Sequence, residues 1–203
     1  MSQPAFTRVL DPHVAILVAV LLSVSAAAAQ VLVRPEKAMS LAFPKAKFSR
    51  TTLLVSEKER AAIARLAKVR ADDVPGVTIA YVAKNEETGT IEGFAFFDKH
   101  GVRSKYETLM VAVDLDGGMR RVEECAVAEP IQYKPAEPFY RQFDEKTLYD
   151  LGAGKGVMRV TGATLTVEAT LQCCRRILAA RKILAESDKL PENKPKSEGP
   201  DRP

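Results

Sequence analysis

The sequence predicts an α+β fold: an antiparallel sheet meander flanked by helices, forming a single domain after an N-terminal signal or anchor helix. Three observations predict it. Between residues 77 and 128, four short segments alternate apolar and polar side chains and are separated by turn signals. Segments of helical period lie on both sides of them. An apolar run occupies the extreme N-terminus. The chain has 203 residues, 46% hydrophobic and 28% charged, which suits one globular core with extra segments.

The elements follow in order. "VAILVAVLLSVSAAAA" (residues 14–29) is preceded by Arg8 and ends in small residues, the layout of a secretory signal. The apolar character runs on to Val33, giving 20 residues from Val14, enough to span a bilayer. A cleaved signal and an uncleaved membrane anchor over residues 1–33 both stay open. Either puts the rest of the chain outside the cytoplasm, in the periplasm or cell envelope, secreted or membrane-anchored.

Residues 34–74 read as a helical segment. Pro35 suits a first helical turn and Pro44 stops it. In "SEKERAAIARLAKV", Ser56 and Glu59 form a capping box, and Ile63, Leu66 and Val69 share one face. Past Pro75-Gly76 the period changes. "VTIAYVAK", "TIEGFAFFD", "ETLMVAVD" and "MRRVEECAVA" are the four strands, with "HGVRSKY" read as a connection and "LDGG" as a turn. "PAEPFYRQFDEKTL" is helical, with Phe139, Phe143 and Leu148 on its apolar side. A Gly-rich loop, "YDLGAGKG", leads to a last helix carrying Val167, Leu171, Cys174, Leu178 and Ile183 near period 3.6. The domain proper spans 75–186. Residues 187–203 are polar and Pro-rich and read as a disordered tail.

Several functions are excluded. The net charge of +4 is mild, and no basic helix interleaves aromatics, so nucleic acid is not a partner. Only His13 and His100 occur, too few for a multi-His metal centre, a haem chain or a catalytic triad. Cys125, Cys173 and Cys174 lack metal-ligand spacing, so no metal is expected. Cys173 and Cys174 diverge by about 100° on a helix and do not pair with each other. They read as buried small hydrophobes, with a disulfide to Cys125 left open. "LGAGKG" lacks the spacing of a nucleoside triphosphate loop.

The segment with chemistry is "MRVTGATLTVEAT" (residues 158–170). A helix start offers unpaired N–H groups and partial positive charge, a seat for phosphate. Gly162 and Ala163 leave the approach open. With Thr164 as N-cap, its hydroxyl would face the free amides of residues 166 and 167. A plain capping threonine worth about 1 kcal/mol is the competing account.

"VTGATLT" resembles the Ser/Thr-Gly-Ala-Thr-x-Thr/Ser motif of the FMN-binding domain family. That family includes the flavinylated subunits of Rnf and sodium-pumping NADH:quinone oxidoreductase complexes. The strand region from Gly76 to Pro130, with its Gly-aromatic strand and Asp-x-Asp-Gly turn, is similar to the family's sheet. "FYRQFDEKTL" resembles the helix that precedes the flavin motif. The likeness covers about residues 75–184.

The resemblance implies an extracytoplasmic electron-transfer protein, more a redox carrier or complex component than a stand-alone enzyme. Thr164 matches the threonine esterified to the FMN phosphate by a flavin transferase. Thr161, Gly162, Ala163, Leu165 and Thr166 match the flavin-contacting loop. Glu107 and Thr108 match a segment beside the ring system, and Glu129 an acidic position after the fourth strand. The implied partners are a flavin transferase, a membrane electron donor (a quinone or redox complex) and an acceptor. No catalytic acid or base is implied. Two departures stand out: Met158 occupies the position where many flavinylated members carry aspartate, and "EPIQYKP" replaces a Glu-Thr-Pro-Gly type sequence. Met158 keeps an alternative open, a flavin-free or non-covalent relative acting as an envelope interaction or assembly module.

Overall fold

The structure is a computed structural model that describes residues 30–128, 134–151 and 156–193. It is an α+β fold on a six-stranded antiparallel sheet ordered β1-β6-β5-β4-β3-β2. The strands are β1 (Gln30–Val31), β2 (Ala46–Leu54), β3 (Val77–Asn85), β4 (Ile91–Val102), β5 (Lys105–Asp114) and β6 (Met119–Val127). The helices are α1 (Pro35–Ala42), α2 (Glu57–Ala67), α3 (Glu137–Arg141) and α4 (Thr164–Glu186). β2 to β6 form a meander. β1 pairs with β6 at the opposite edge from β2, so the chain crosses the sheet once, through α1.

Period two puts alternate residues of β4 and β5 on opposite faces. Phe94, Phe96, Leu109, Val111 and Val113 pack with Val167, Leu171, Cys174 and Leu178 of α4 and with Ile63 of α2. Met110, Ala112, Ala95 and Ala83 pack with Ala38, Met39, Ala42 and Phe43 on the α1 side. Gly93 makes that second contact feasible. A Cβ there would sit 2.4 Å from the Val113 carbonyl oxygen and 2.9 Å from the Phe43 ring.

α2 starts where the capping box places it: Ser56 and Glu59 cap each other. α1 has Pro at its first turn and ends before Pro44. Other elements depart from expectation. β2 is a strand that the pattern does not announce, because it is an edge strand whose residues are mostly exposed. β4 and β5 continue through "HGVRSKY" to a two-residue turn, with Val102 paired to Lys105 and Arg103 at φ 53°. α3 is only five residues long, and turns follow it. On α4 Ile183 packs against the core partly buried, and its neighbour Leu184 is fully buried.

The N-terminal signal or anchor lies largely outside the described residues. Of its apolar run, Gln30 and Val31 belong to the sheet edge, paired with Val127 and Ala126. Among the described residues no helix is long and apolar enough to cross a membrane. The polar tail is packed at its start. Leu190 is buried, Lys189 bonds Glu59 at 2.7 Å, and Asn193 exchanges hydrogen bonds with the backbone of Ile91. The three cysteines are free. The sheet separates Cys125, on the α1 side, from Cys173 and Cys174 under α4.

Candidate functional site

Two features converge on the N-terminal half of α4. The first is its start. Val157 and Leu151 are buried and anchor the approach. Gln142, within "FYRQF", accepts a hydrogen bond from the Met158 backbone N–H at 2.7 Å. The chain then turns at Thr161-Gly162, where Gly162 takes φ 85° and nothing lies within 4 Å of an added Cβ. That left-handed conformation favours glycine.

Thr164 is the first helical residue, not the cap. Ala163 holds the N-cap position, and its methyl group offers no hydrogen bond. The Thr164 side chain therefore does not fold back over the helix amides as expected. It is exposed, as are Thr161, Gly162 and Leu165. Ala163 and Thr166 are buried and fasten the turn to the core. The first turn holds no acidic residue. The 23-residue helix thus starts with no side-chain cap from its N-cap residue and no acidic residue in its own first turn. α2 is the opposite case, with a full capping box and two glutamates in its first turn.

The second feature is a polar network on the sheet face beneath α4. The alternation that places Phe94 and Phe96 inward continues along β4 to Asp98 and His100. His100 pairs directly across the sheet with Glu107 of β5. Its Nε2 lies 2.8 Å from Glu107 Oε1, and its Nδ1 lies 2.9 Å from Asp98 Oδ1. From α4, the Thr170 hydroxyl donates to the Thr166 carbonyl at 2.9 Å and lies 3.4 Å from Glu107 Oε1, and Arg176 reaches both Asp98 oxygens at 2.8 and 2.7 Å. Cys173 closes the group. Its Sγ, one carboxylate oxygen of Asp98 and a ring nitrogen of His100 all lie within 4.8 Å of one another.

Burial opposes charge on His100, but hydrogen bonds to Asp98, Cys173 and Glu107 outweigh it and raise its pKa to about 11. Burial likewise works against the Asp98 carboxylate. His100 and Arg176 together hold its pKa below the ordinary carboxylate value. Burial and the Asp98 charge push the Cys173 thiol up to about 12. Beside this group, Glu124 of β6 is buried opposite Leu109 and ion-paired with Lys134. Burial raises its pKa, and the Glu107 charge adds to the effect.

Glu107 is 1% exposed, so its carboxylate serves this interior network rather than the surface. Its second oxygen is buried with no hydrogen-bond partner among the described residues. Thr108 is half-buried on the opposite face of β5, paired with Lys99 and Ala126. Glu129 lies outside the described residues. The structure thus groups Thr161 to Thr166 at one helix end and sets Glu107 about one and a half turns further along, against Thr170.

Sequence reading names His100 and Cys173 separately and does not join them with Asp98 and Arg176 in one group. The sequence reads "HGVRSKY" as a connection, which places His100 in a loop rather than on the strand it occupies. The available signal was the inward phase of Phe94 and Phe96, which carries on into Asp98 and His100.

No family model matches the chain, and neither a curated protein nor a solved structure matches it.

Proposed function

We propose that the protein is an extracytoplasmic FMN-binding electron-transfer protein, with FMN joined through its phosphate to Thr164. The observation that carries this reading is the start of α4. An exposed threonine hydroxyl stands on the first turn of a 23-residue helix whose N-cap residue, Ala163, supplies no side-chain hydrogen bond. The residue types there fit a phosphoester. Gly162 leaves open space, Ala163 adds little bulk, and no carboxylate in the first turn repels an anion.

When bound, FMN supplies reversible electron transfer. The chain's own residues do the rest. The amides at the start of α4 offset phosphate charge. Leu165 and Met158, 52% and 75% exposed, offer apolar surface beside the turn. Gln142 holds the Met158 backbone and so sets how the chain enters the motif. Attachment to the chain keeps the group from diffusing away outside the cytoplasm. A flavin transferase, a membrane donor such as a quinone or redox complex, and an acceptor complete the reading.

Met158 favours a second reading, a domain that holds flavin non-covalently or not at all and acts as an envelope assembly module. The experiment that separates them is intact mass with in-gel flavin fluorescence, on protein exported in cells that contain a flavin transferase. An FMN adduct that Thr164→Ala abolishes supports the covalent carrier. No adduct, with a control substrate flavinylated in the same cells, overturns it. Titration with free FMN then distinguishes non-covalent binding from none.

A further inference from the structure

We propose that Asp98, His100 and Cys173 form a mononuclear site for a divalent transition metal ion of the zinc class, oriented by Glu107 behind the histidine. This proposal does not depend on the flavin reading.

The geometry carries it. One carboxylate oxygen, one imidazole nitrogen and one sulfur lie within 4.8 Å of one another. Around a tetrahedral zinc ion the bonds run about 2.0–2.3 Å, so donor atoms stand roughly 3–4 Å apart. Small side-chain adjustments bring the three onto one ion. Asp98 and His100 are two residues apart on one face of a central strand, and Cys173 projects from a buried turn of α4. Rigid elements on two layers therefore present the donors.

The histidine is oriented as a ligand. Its Nε2 faces Glu107 Oε1 at 2.8 Å, which leaves Nδ1, the nitrogen beside Asp98, for the ion. A carboxylate behind a ligating imidazole fixes tautomer and ring plane. Glu107 is itself buried under α4, with the Thr170 hydroxyl 3.4 Å away.

The donor set selects the ion. Thiolate, imidazole and carboxylate together suit zinc and its cobalt analogue rather than magnesium or calcium, which take oxygen ligands. An entry path exists. Asp98 and His100 line a cleft of about 430 Å³, shared with Arg70, Asp73, Lys99 and Arg176. The cleft supplies a position for a fourth ligand, water or a small anion. Arg176 competes for Asp98, and the carboxylate keeps lone pairs beyond those it gives the guanidinium.

The step balances. The ion forms bonds to Nδ1, Sγ and a carboxylate oxygen. The proton between Nδ1 and Asp98 and the proton on Sγ leave to solvent, and nothing is oxidised or reduced. Binding exchanges two positive protons for one divalent cation, so the buried group keeps its charge.

The test is titration of the full chain with cobalt(II) under anaerobic, reducing conditions. A near-ultraviolet sulfur-to-cobalt charge-transfer band should saturate at one ion per chain and disappear on adding zinc. Calorimetry in buffers of different ionisation enthalpy should report two protons released. Cys173→Ser should abolish the band and Cys174→Ser should keep it. Glu107→Gln should weaken binding on the order of 10–100-fold. No band in the folded wild-type protein, or a band that survives Cys173→Ser, overturns the proposal.

Discussion

His100 and Glu107 face each other directly across β4 and β5, with Nε2 and Oε1 2.8 Å apart beneath α4. The pair is a buried contact between two ionisable groups at the polar end of a sheet face whose other end is apolar, with Asp98 and Glu124 nearby. Breaking one side leaves the other desolvated with fewer partners. Glu107→Ala should therefore destabilise the metal-free protein by about 3–5 kcal/mol, measured by denaturant unfolding with chelator present. Glu107→Gln should cost clearly less, because the amide oxygen still accepts from Nε2. Equal losses in the two variants would show that the carboxylate charge, not the side-chain volume or the accepted hydrogen bond, is what matters there.

Gly93 and Gly162 separate two reasons for glycine. At Gly93 the obstacle is packing, since an added Cβ meets a backbone oxygen at 2.4 Å and the Phe43 ring at 2.9 Å. Gly93→Ala should cost about 1–3 kcal/mol as β4, β5 and the segment after α1 shift apart. At Gly162 space is free and only φ of 85° resists a side chain. Gly162→Ala should cost roughly 1–2 kcal/mol. Pairing each with Phe43→Leu tells them apart. The smaller side chain should relieve the Gly93 variant and leave the Gly162 variant unchanged.

Glu59 ties the chain's C-terminal segment to the start of α2. The Lys189 hydrogen bond is the main cause that lowers its pKa to about 2. Burial opposes this, and Ser56 adds to the lowering. A depressed carboxylate pKa stabilises the fold above its unfolded value of 4.5, and that contribution fades as pH falls toward about 2. Wild type should thus be more stable than Glu59→Gln at neutral pH, and the gap should close between about pH 4.5 and 2. Urea unfolding of both proteins across that range measures it. A gap that stays constant with pH would contradict the assignment.

Thr164 is exposed and makes no capping hydrogen bond. Thr164→Ala should therefore change stability by no more than about 0.5 kcal/mol. The same substitution should remove the flavin adduct completely. A large loss of stability in thermal unfolding would mean that the threonine has a structural role at this helix end.

Much of the fold is legible in the order of residues. The capping box of Ser56 and Glu59, the prolines around α1 and the alternation in β3 to β6 are local signals, and local hydrogen bonds and side-chain period enforce them. The motif from Thr161 to Thr166 is legible for the same reason. Its glycine and small residues specify a turn entering a helix with no reference to anything distant.

What tertiary structure decided is of another kind. The edge strand β2 forms because β3 offers it a ladder, although most of its side chains stay in water. The cap passes from Thr164 to Ala163 because Ala163 and Thr166 are buried and fix where the helix begins. Asp98 and His100 stand 75 and 73 residues before Cys173 in the chain, far outside any ligand spacing that a sequence displays. They meet because the sheet aligns His100 with Glu107 and α4 lies across that end of β4. Sequence alone determined the alternation and the turn chemistry, which depend on neighbours in the chain. The buried group under α4 depended on packing one layer against another, which no local pattern encodes.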